Sequence, residues 1–277
     1  MAPTPPLSNP RSDRVKAVRG LARRSARLRT GLFLAEGPQS VREAVRCRPD
    51  LVRDLYVTEA AAARHTGVVE DALAAGLFVH ACTDEVLAAM GDTDAPQGML
   101  AVCRWETASL ADVLAASPRL LIVLTHIRDP GNAGTVIRGA DAAGADAVIV
   151  SDNSVDAFSP KVVRSTAGSL FRLPIVTGMP VPEILAALAA ARITTLAADG
   201  AGGTLLHDAP LAESHAWVMG NEAWGLPEDM RDACDDVVRV PIYGRAESLN
   251  LAMAATVCLY ESARVQRTGP PSTSPQK

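Results

Sequence analysis

Five short, mostly apolar runs in the second half of the chain, at residues 120–124, 147–150, 193–197, 216–219 and 237–240, constrain the fold more than any other feature. The runs at 120–124 and 147–150 are unbroken and rich in β-branched side chains, the other three repeat the type, and none alternates polar with apolar. A strand without alternation is buried on both faces, as a parallel strand flanked by helices is. Helical patterns at 133–143, 161–170, 182–191, 227–233 and 249–265 fall between or after the runs. Parallel neighbours require a crossover, and a helix supplies it. The alternation therefore predicts an α/β domain with a doubly wound parallel sheet, whose ligands bind in loops at the carboxyl ends of the strands.

The first half reads as a smaller α/β unit, with strands expected at 32–35, 51–57, 77–80 and 99–104 and helices at 39–46, 59–75 and 84–90. Thr83 is an N-cap followed by acids, and Gly76 and Gly91 close their helices. The expected organisation is a domain over 11–105, a linker over 106–117 and a second domain over 118–267, with disorder at 1–10 and 268–277, where Pro, Ser and Thr dominate. A hydrophobic content of 48% and a charged content of 21% suit a globular chain, and no apolar run reaches membrane-spanning length. The N-terminus lacks a signal-peptide core, so the cytoplasm is the expected compartment. The cysteines are scattered, with no paired spacing and no histidine at ligand distance, so neither a metal site nor a disulfide framework is expected. The net charge is −4, yet Arg11, Arg14, Lys16, Arg19, Arg23, Arg24, Arg27 and Arg29 face only Asp13. Such an arm suits polyphosphate contacts, or else forms a solvated helix that confers solubility.

Three loops concentrate Gly, Asn and charge. In DPGNAGTVIR, residues 129–138, Pro130-Gly131 forces a turn, Asn132 is a candidate N-cap and Gly134 admits a backbone or a ligand. Val136, Ile137, Ala140 and Ala143 form a core face on the following helix, while Thr135, Arg138 and Asp141 form a polar stripe. Arg138 serves either a site or a surface pair with Asp141. In GNEAWGLP, residues 220–227, Gly220 permits close approach, Asn221 and Glu222 supply polar groups and Trp224 a flat surface; an ordinary strand-to-helix turn explains the same residues. In VPIYGRAESLNLAMAATVCLYE, residues 240–261, Glu247, Ser248 and Asn250 precede a helix that is apolar almost all round and so needs cover on more than one side. Ser248 is its candidate N-cap, and the stretch is either a site braced by a buried helix or a well-capped core helix. Neither GxGxxG nor GxxxxGK[ST] is present.

Taken together the three loops resemble the motifs of the SpoU-type (TrmH-type) 2′-O-ribose RNA methyltransferases of the SPOUT superfamily. The matching positions are Asn132, Gly134 and Arg138; Gly220, Asn221 and Glu222; and Pro241, Glu247, Ser248, Leu249 and Asn250. RSTAGSLFRLP at 164–174 is similar to the segment between motifs, and FLAEGPQSVREAV with PQGMLAV is similar to the family's N-terminal RNA-binding domain. Thr125-His126 stands where the family more often has an acidic residue, and Ala223-Trp224 where it more often has a Gly-containing pair.

The resemblance implies a C-terminal SPOUT domain with a deep trefoil knot, although general topology rules argue against knots. It implies S-adenosylmethionine as cofactor, bound near Gly220, Val240, Ile242 and Leu249. It further implies a homodimer, no metal, and methyl transfer to a ribose 2′-OH of rRNA or tRNA. Arg138 would stabilise the reacting oxygen, Glu247 or water would take its proton, and Asn132, Glu222, Ser248 and Asn250 would orient the site. The alternatives are a base-methylating SPOUT enzyme and a non-catalytic RNA-binding member of the fold.

Overall fold

The computed structural model describes residues 5–267; the first four residues and the expected tail at 268–277 lie outside them. By their contacts the residues form two compact units, one running as far as Thr107 with Ala133–Arg138 and Val155–Arg172 added, the other comprising Ala108–Asn132, Gly139–Ser154 and the chain from Leu173 onward.

The first unit contains α1 (Asp13–Gly20), α2 (Arg24–Thr30), β1 (Leu32–Glu36), α3 (Pro38–Cys47), β2 (Val52–Thr58), α4 (Glu59–Arg64), α5 (Thr66–Ala74), β3 (Phe78–Cys82), α6 (Asp84–Met90) and β4 (Met99–Arg104). Its sheet has the order β1-β4-β2-β3, with β2 and β3 parallel and the other pairs antiparallel. Successive side chains of a strand face opposite ways. Leu34 accordingly joins Val15, Val18, Val86, Leu87 and Met90 in one core. Phe33, on the other face, meets Phe158 edge-on at 5.1 Å and stacks on Phe171 at 6.0 Å. The basic arm is thus built into the fold: Val15, Val18 and Leu21 are buried, and Arg27, 2% exposed, reaches Asp156 at 2.6 Å and the carbonyls of Leu21 and Ala22 at 2.8 Å. Within the stretch expected to be disordered, the Leu7 N–H donates to the Ala81 carbonyl at 2.8 Å. The helix expected over 59–75 breaks at His65, whose φ of −124° and ψ of 46° are not helical.

The chain continues through α7 (Leu110–Ala115), β5 (Leu120–Leu124), α8 (Pro130–Ala143), β6 (Ala147–Ser151), α9 (Pro160–Ser165), β7 (Ile175–Met179), α10 (Val181–Ala190), β8 (Thr194–Ala198), β9 (Thr204–Leu205), β10 (His215–Met219), α11 (Glu228–Asp232), β11 (Asp236–Arg239) and α12 (Leu251–Gln266). All five apolar runs are strands of one parallel sheet, in the order β7-β6-β5-β10-β8-β11-β9. The late strand β10 sits between β5 and β8, with Val218 opposite both Val123 and Ala197. One sheet face buries Leu121, Val123, Ile149, Ala216 and Val218 with Leu110, Ile184 and Leu188 of α7 and α10. Among the described residues no helix is long and apolar enough to cross a membrane.

Under α12, on the other face, the fully buried Trp217 donates its indole N–H to Ser262 Oγ at 2.8 Å, and His215 Nε2 lies 2.7 Å from the same oxygen. His215 Nδ1 is 2.8 Å from the Glu213 carbonyl, which can only accept, so Nδ1 carries a proton, while the Ser262 hydroxyl has its one proton to share between Nε2 and the Cys258 carbonyl at 3.1 Å. Burial holds the His215 pKa below its usual value, despite the bond to Glu213. The folded state therefore prefers neutral imidazole. Its contribution to stability is complete above the unfolded pKa of about 6.5 and is lost as the pH falls below that, because the unfolded chain then binds the extra proton. Melting temperature is expected to drop between pH 7 and pH 5.5, and to drop less in His215→Gln; equal drops would remove His215 from this account.

Candidate active site

The loops that follow β5, β10 and β11 leave the same edge of the parallel sheet, which brings the three motif loops together. Asp129 caps α8, its Oδ1 accepting the Asn132 N–H at 2.7 Å. Asn132 was the expected cap; lying inside the first turn instead, its side chain is free for other partners. Asn250 likewise replaces Ser248 as the cap of α12, its Oδ1 accepting from Ala252 N at 2.9 Å and Met253 N at 3.4 Å.

That cap sets the direction of a chain of amides. With Oδ1 committed to the helix, Asn250 donates from Nδ2 to Asn132 Oδ1 at 3.1 Å, and Asn132 donates from its own Nδ2 to Glu222 Oε1 at 3.4 Å. Glu222 also accepts the backbone N–H of Arg128 at 3.2 Å and of Asp129 at 3.1 Å. One residue from each motif is thereby joined in a donor-to-acceptor sequence ending on a carboxylate. Asn221 adds a second clamp, donating to the His126 carbonyl at 2.7 Å. His126 holds a positive φ of 49°, and the buried Thr125 donates its hydroxyl to the Met219 carbonyl at 2.9 Å.

Beside this clamp lies a cavity of about 340 Å³. Gly220, Glu222, Val240, Ile242, Glu247, Ser248 and Leu249 line it, with Asp199, Asn221 and Ala254. The second and third motifs thus share one pocket, whereas Asn132 and Asn250 brace its loops from outside the lining. Arg138 is exposed on α8, makes no ion pair among the described residues, and groups by its contacts with the first unit. Counting back along the helix, it is about 120° around the axis from Asn132.

At two glycines the close approach of other backbone leaves no room for a Cβ. A Cβ on Gly134 would lie 2.4 Å from Ser165 Cβ and 2.6 Å from the Val162 carbonyl oxygen, so the residue lets α8 and α9 touch. A Cβ on Gly220 would lie 2.3 Å from the Gly225 carbonyl carbon and 2.5 Å from Leu226 N, within a turn where Asn221 and Gly225 exchange both backbone hydrogen bonds at 2.9 and 2.8 Å. Sequence reasoning missed Asp129, Asp199 and His126. Asp129 alone had a readable signal, an Asp just before Pro at a helix start. Among the described residues no cluster of His, Cys, Asp and Glu could hold a metal ion.

Residues 119–260 match the model of the SpoU rRNA methylase family, and residues 12–101 that of the MRM3-like substrate binding domain. The chain is 33% identical over 254 residues to the 23S rRNA (guanosine(2553)-2′-O)-methyltransferase RlmP of Bacillus subtilis, covering 92% of this chain and 97% of the relative. It is 34% identical over 241 residues to the 23S rRNA (guanosine-2′-O-)-methyltransferase RlmB of Bordetella pertussis, covering 84% and 97%. Among solved structures, the AdoMet-bound rRNA methyltransferase from Sinorhizobium meliloti matches with a TM-score of 0.82 and 29% identity, over 94% of this chain and 97% of that one.

Proposed function

The chain belongs to the SpoU rRNA methylase family, and from that premise we propose that it transfers a methyl group from S-adenosylmethionine to a ribose 2′-OH of 23S rRNA. The observation that carries this reading is the single cavity between the second and third motif loops, held by the Asn250–Asn132–Glu222 chain. Its volume is at the small end of the range for small-molecule sites. Ile242, Leu249 and Ala254 offer an apolar wall for a purine ring, and Asp199, Glu222 and Glu247 offer acceptors for hydroxyl and ammonium groups. These acceptors and walls fit S-adenosylmethionine, which supplies an electrophilic sulfonium methyl when bound.

A ribose hydroxyl is a poor nucleophile at neutral pH and must lose its proton near the transition state. Arg138 is permanently charged, so it serves as a stabiliser of the developing oxygen charge and a grip on the adjoining phosphate. The proton passes to Glu247 or to water. Glu247 lines the cavity and makes no ion pair among the described residues, which supports that role. Asn132, Glu222, Ser248 and Asn250 hold the loops in register. The placement of β10 between β5 and β8 supports a knotted path for the C-terminal segment. Met253, Val257 and Tyr260 form an exposed stripe on α12 opposite buried Ala252, Ala255 and Leu259, which supports a homodimer built on that helix. The relatives that methylate 23S rRNA are bacterial, which supports a cytoplasmic location.

The test is incubation with methyl-labelled S-adenosylmethionine and a 23S rRNA transcript, followed by nucleoside analysis. A labelled 2′-O-methylnucleoside is expected. A labelled base would point to the base-methylating alternative, and cofactor binding without transfer to the non-catalytic one. Asn250→Asp separates the two uses of Asn250. An Asp still caps the helix, so melting should change by no more than about 0.5 kcal/mol. It cannot donate to Asn132, and cofactor affinity is expected to fall about tenfold as the loops loosen, the scale of one hydrogen bond at the upper end of its usual worth. Undiminished affinity by calorimetry would sever the clamp from the pocket.

A further inference from the structure

The first unit has a pocket of its own, of about 220 Å³, between the N-terminus of α3 and the loop at residues 91–98. We propose that this pocket receives one unpaired base of the substrate RNA, read by Ser40 and Gln97, while Arg42 and Arg64 hold the adjoining phosphates. The proposal rests on the reading of the chain as an rRNA methyltransferase and adds a contact distinct from the methylated ribose.

Ser40 is the first observation. It is 3% exposed, lines the pocket, and its hydroxyl has no hydrogen-bond partner among the described residues. The hydroxyl makes no bond within the chain and opens onto the cavity, which leaves it as a donor and acceptor for whatever enters. The N-terminus of α3 supplies more donors. Its cap, Gly37, makes no side-chain bond, and with Pro38 lacking an N–H, the free amides of the first turn are those of Gln39 and Ser40.

The walls are preformed. Gly37 and Gly98 hold positive φ angles of 88° and 81°; a Cβ on Gly37 would stand 3.1 Å from Gln97 Oε1, and one on Gly98 would stand 2.5 Å from Ala61 Cβ. Leu87, Met99 and Leu100 provide apolar surface of the kind on which a planar base rests.

Charge decides which part of a nucleotide enters. Inside, Glu36 accepts from Arg164 at 2.9 Å and from Asp92 N at 3.1 Å, and Arg164 lies 3.7 Å from the Asp92 carboxylate. Arg164, the only cation of the lining, is therefore already spent on two carboxylates, and a phosphate would meet no free positive charge. A neutral base, with donors and acceptors along its edge, fits Ser40, the two amides and Gln97. Outside, the adjoining cleft shares Gln39, Pro96 and Gln97 and adds Arg42, Arg64 and His65. Neither Arg42 nor Arg64 makes an ion pair among the described residues, which leaves both for phosphates. The base must be unpaired, because one stacked in a duplex cannot turn its edge into a closed pocket.

The test is equilibrium binding of the full chain to the 23S rRNA transcript between 50 and 200 mM salt, with melting and cofactor titration alongside. Ser40→Ala is expected to bind RNA about three- to tenfold more weakly at every salt concentration, the worth of one hydrogen bond. Its salt slope should stay unchanged and its melting temperature should hold, since the hydroxyl makes no bond within the chain. Gln97→Trp, at the exposed rim, should close the mouth and weaken binding by about tenfold or more, again without a change of slope. Arg42→Ala with Arg64→Ala should make the slope shallower by about one to two. Cofactor binding should be unchanged throughout. Ser40→Ala and Gln97→Trp both binding like wild type would overturn the pocket, and a shallower slope in Gln97→Trp would overturn the base in favour of a phosphate. A wild-type chain that leaves the transcript unmethylated overturns the functional reading instead.

Discussion

Arg138→Ala is expected to cut single-turnover methyl transfer by a factor on the order of a hundred or more, the scale of losing one preorganised donor to a developing oxyanion. The fold gives this variant little else to disturb. Arg138 is exposed between the buried Val136, Ile137 and Ala140, and Ala is the better helix former, so stability should shift by no more than about 0.5 kcal/mol. Arg138→Lys should recover little, because an ammonium cannot hold an alkoxide and a phosphate in one planar fork. Cofactor affinity should be near wild type in both, since Arg138 is absent from the cavity lining. A variant that melts normally, binds cofactor and still methylates at close to the wild-type rate would return Arg138 to the role of surface charge.

Gly220→Ala should have the largest structural effect of any single methyl in the catalytic loops. The added carbon would sit 2.3 Å from the Gly225 carbonyl carbon, and backbone has no rotamer with which to move aside. The two-way exchange between Asn221 and Gly225 would open, costing about 3 kcal/mol, or about 10 °C in a chain of this size. Because Asn221 and Glu222 belong to that turn and also clamp the loop after β5, cofactor affinity should fall with it by at least about tenfold. Gly244→Ala is the control: that position lies in the third loop with nothing within 4 Å of a Cβ. The two variants melting alike would mean the turn is not as tight as drawn.

The parallel sheet was legible because short, mostly apolar runs without alternation, spaced by helical patterns, leave few other folds. What escaped has identifiable causes. Strand β7, in LPIVTGMP, is bracketed by prolines and interrupted by Gly178, so locally it reads as loop. The break at His65 has no proline or cap to announce it. At both misread caps, two residues of the right chemistry stood close together, and tertiary partners chose between them: Asn132 was drawn to Glu222 and Asn250, leaving Asp129 to cap α8. The membership of residues 155–172 in the first unit rests on Phe158 and Phe171 meeting Phe33, a pairing that no local pattern reports. The motif residues were recognisable as a set, but their division into clamp and lining depended on donor and acceptor directions that only geometry supplies.

The central position of β10 bears on how the chain reaches its native state. A polypeptide leaving the ribosome has made β5 and β8 before residues 215–219 exist, yet those strands are not neighbours. A slot one strand wide must stay open between them, about 10 Å across, with a row of unpaired backbone groups on each side. Early pairing of β5 with β8 would be a trap that must reopen before synthesis can be completed by folding. Such late, non-local closure makes for slow folding and a vulnerable nascent chain. The same arrangement protects the finished protein, because β10 can leave only by breaking two ladders at once.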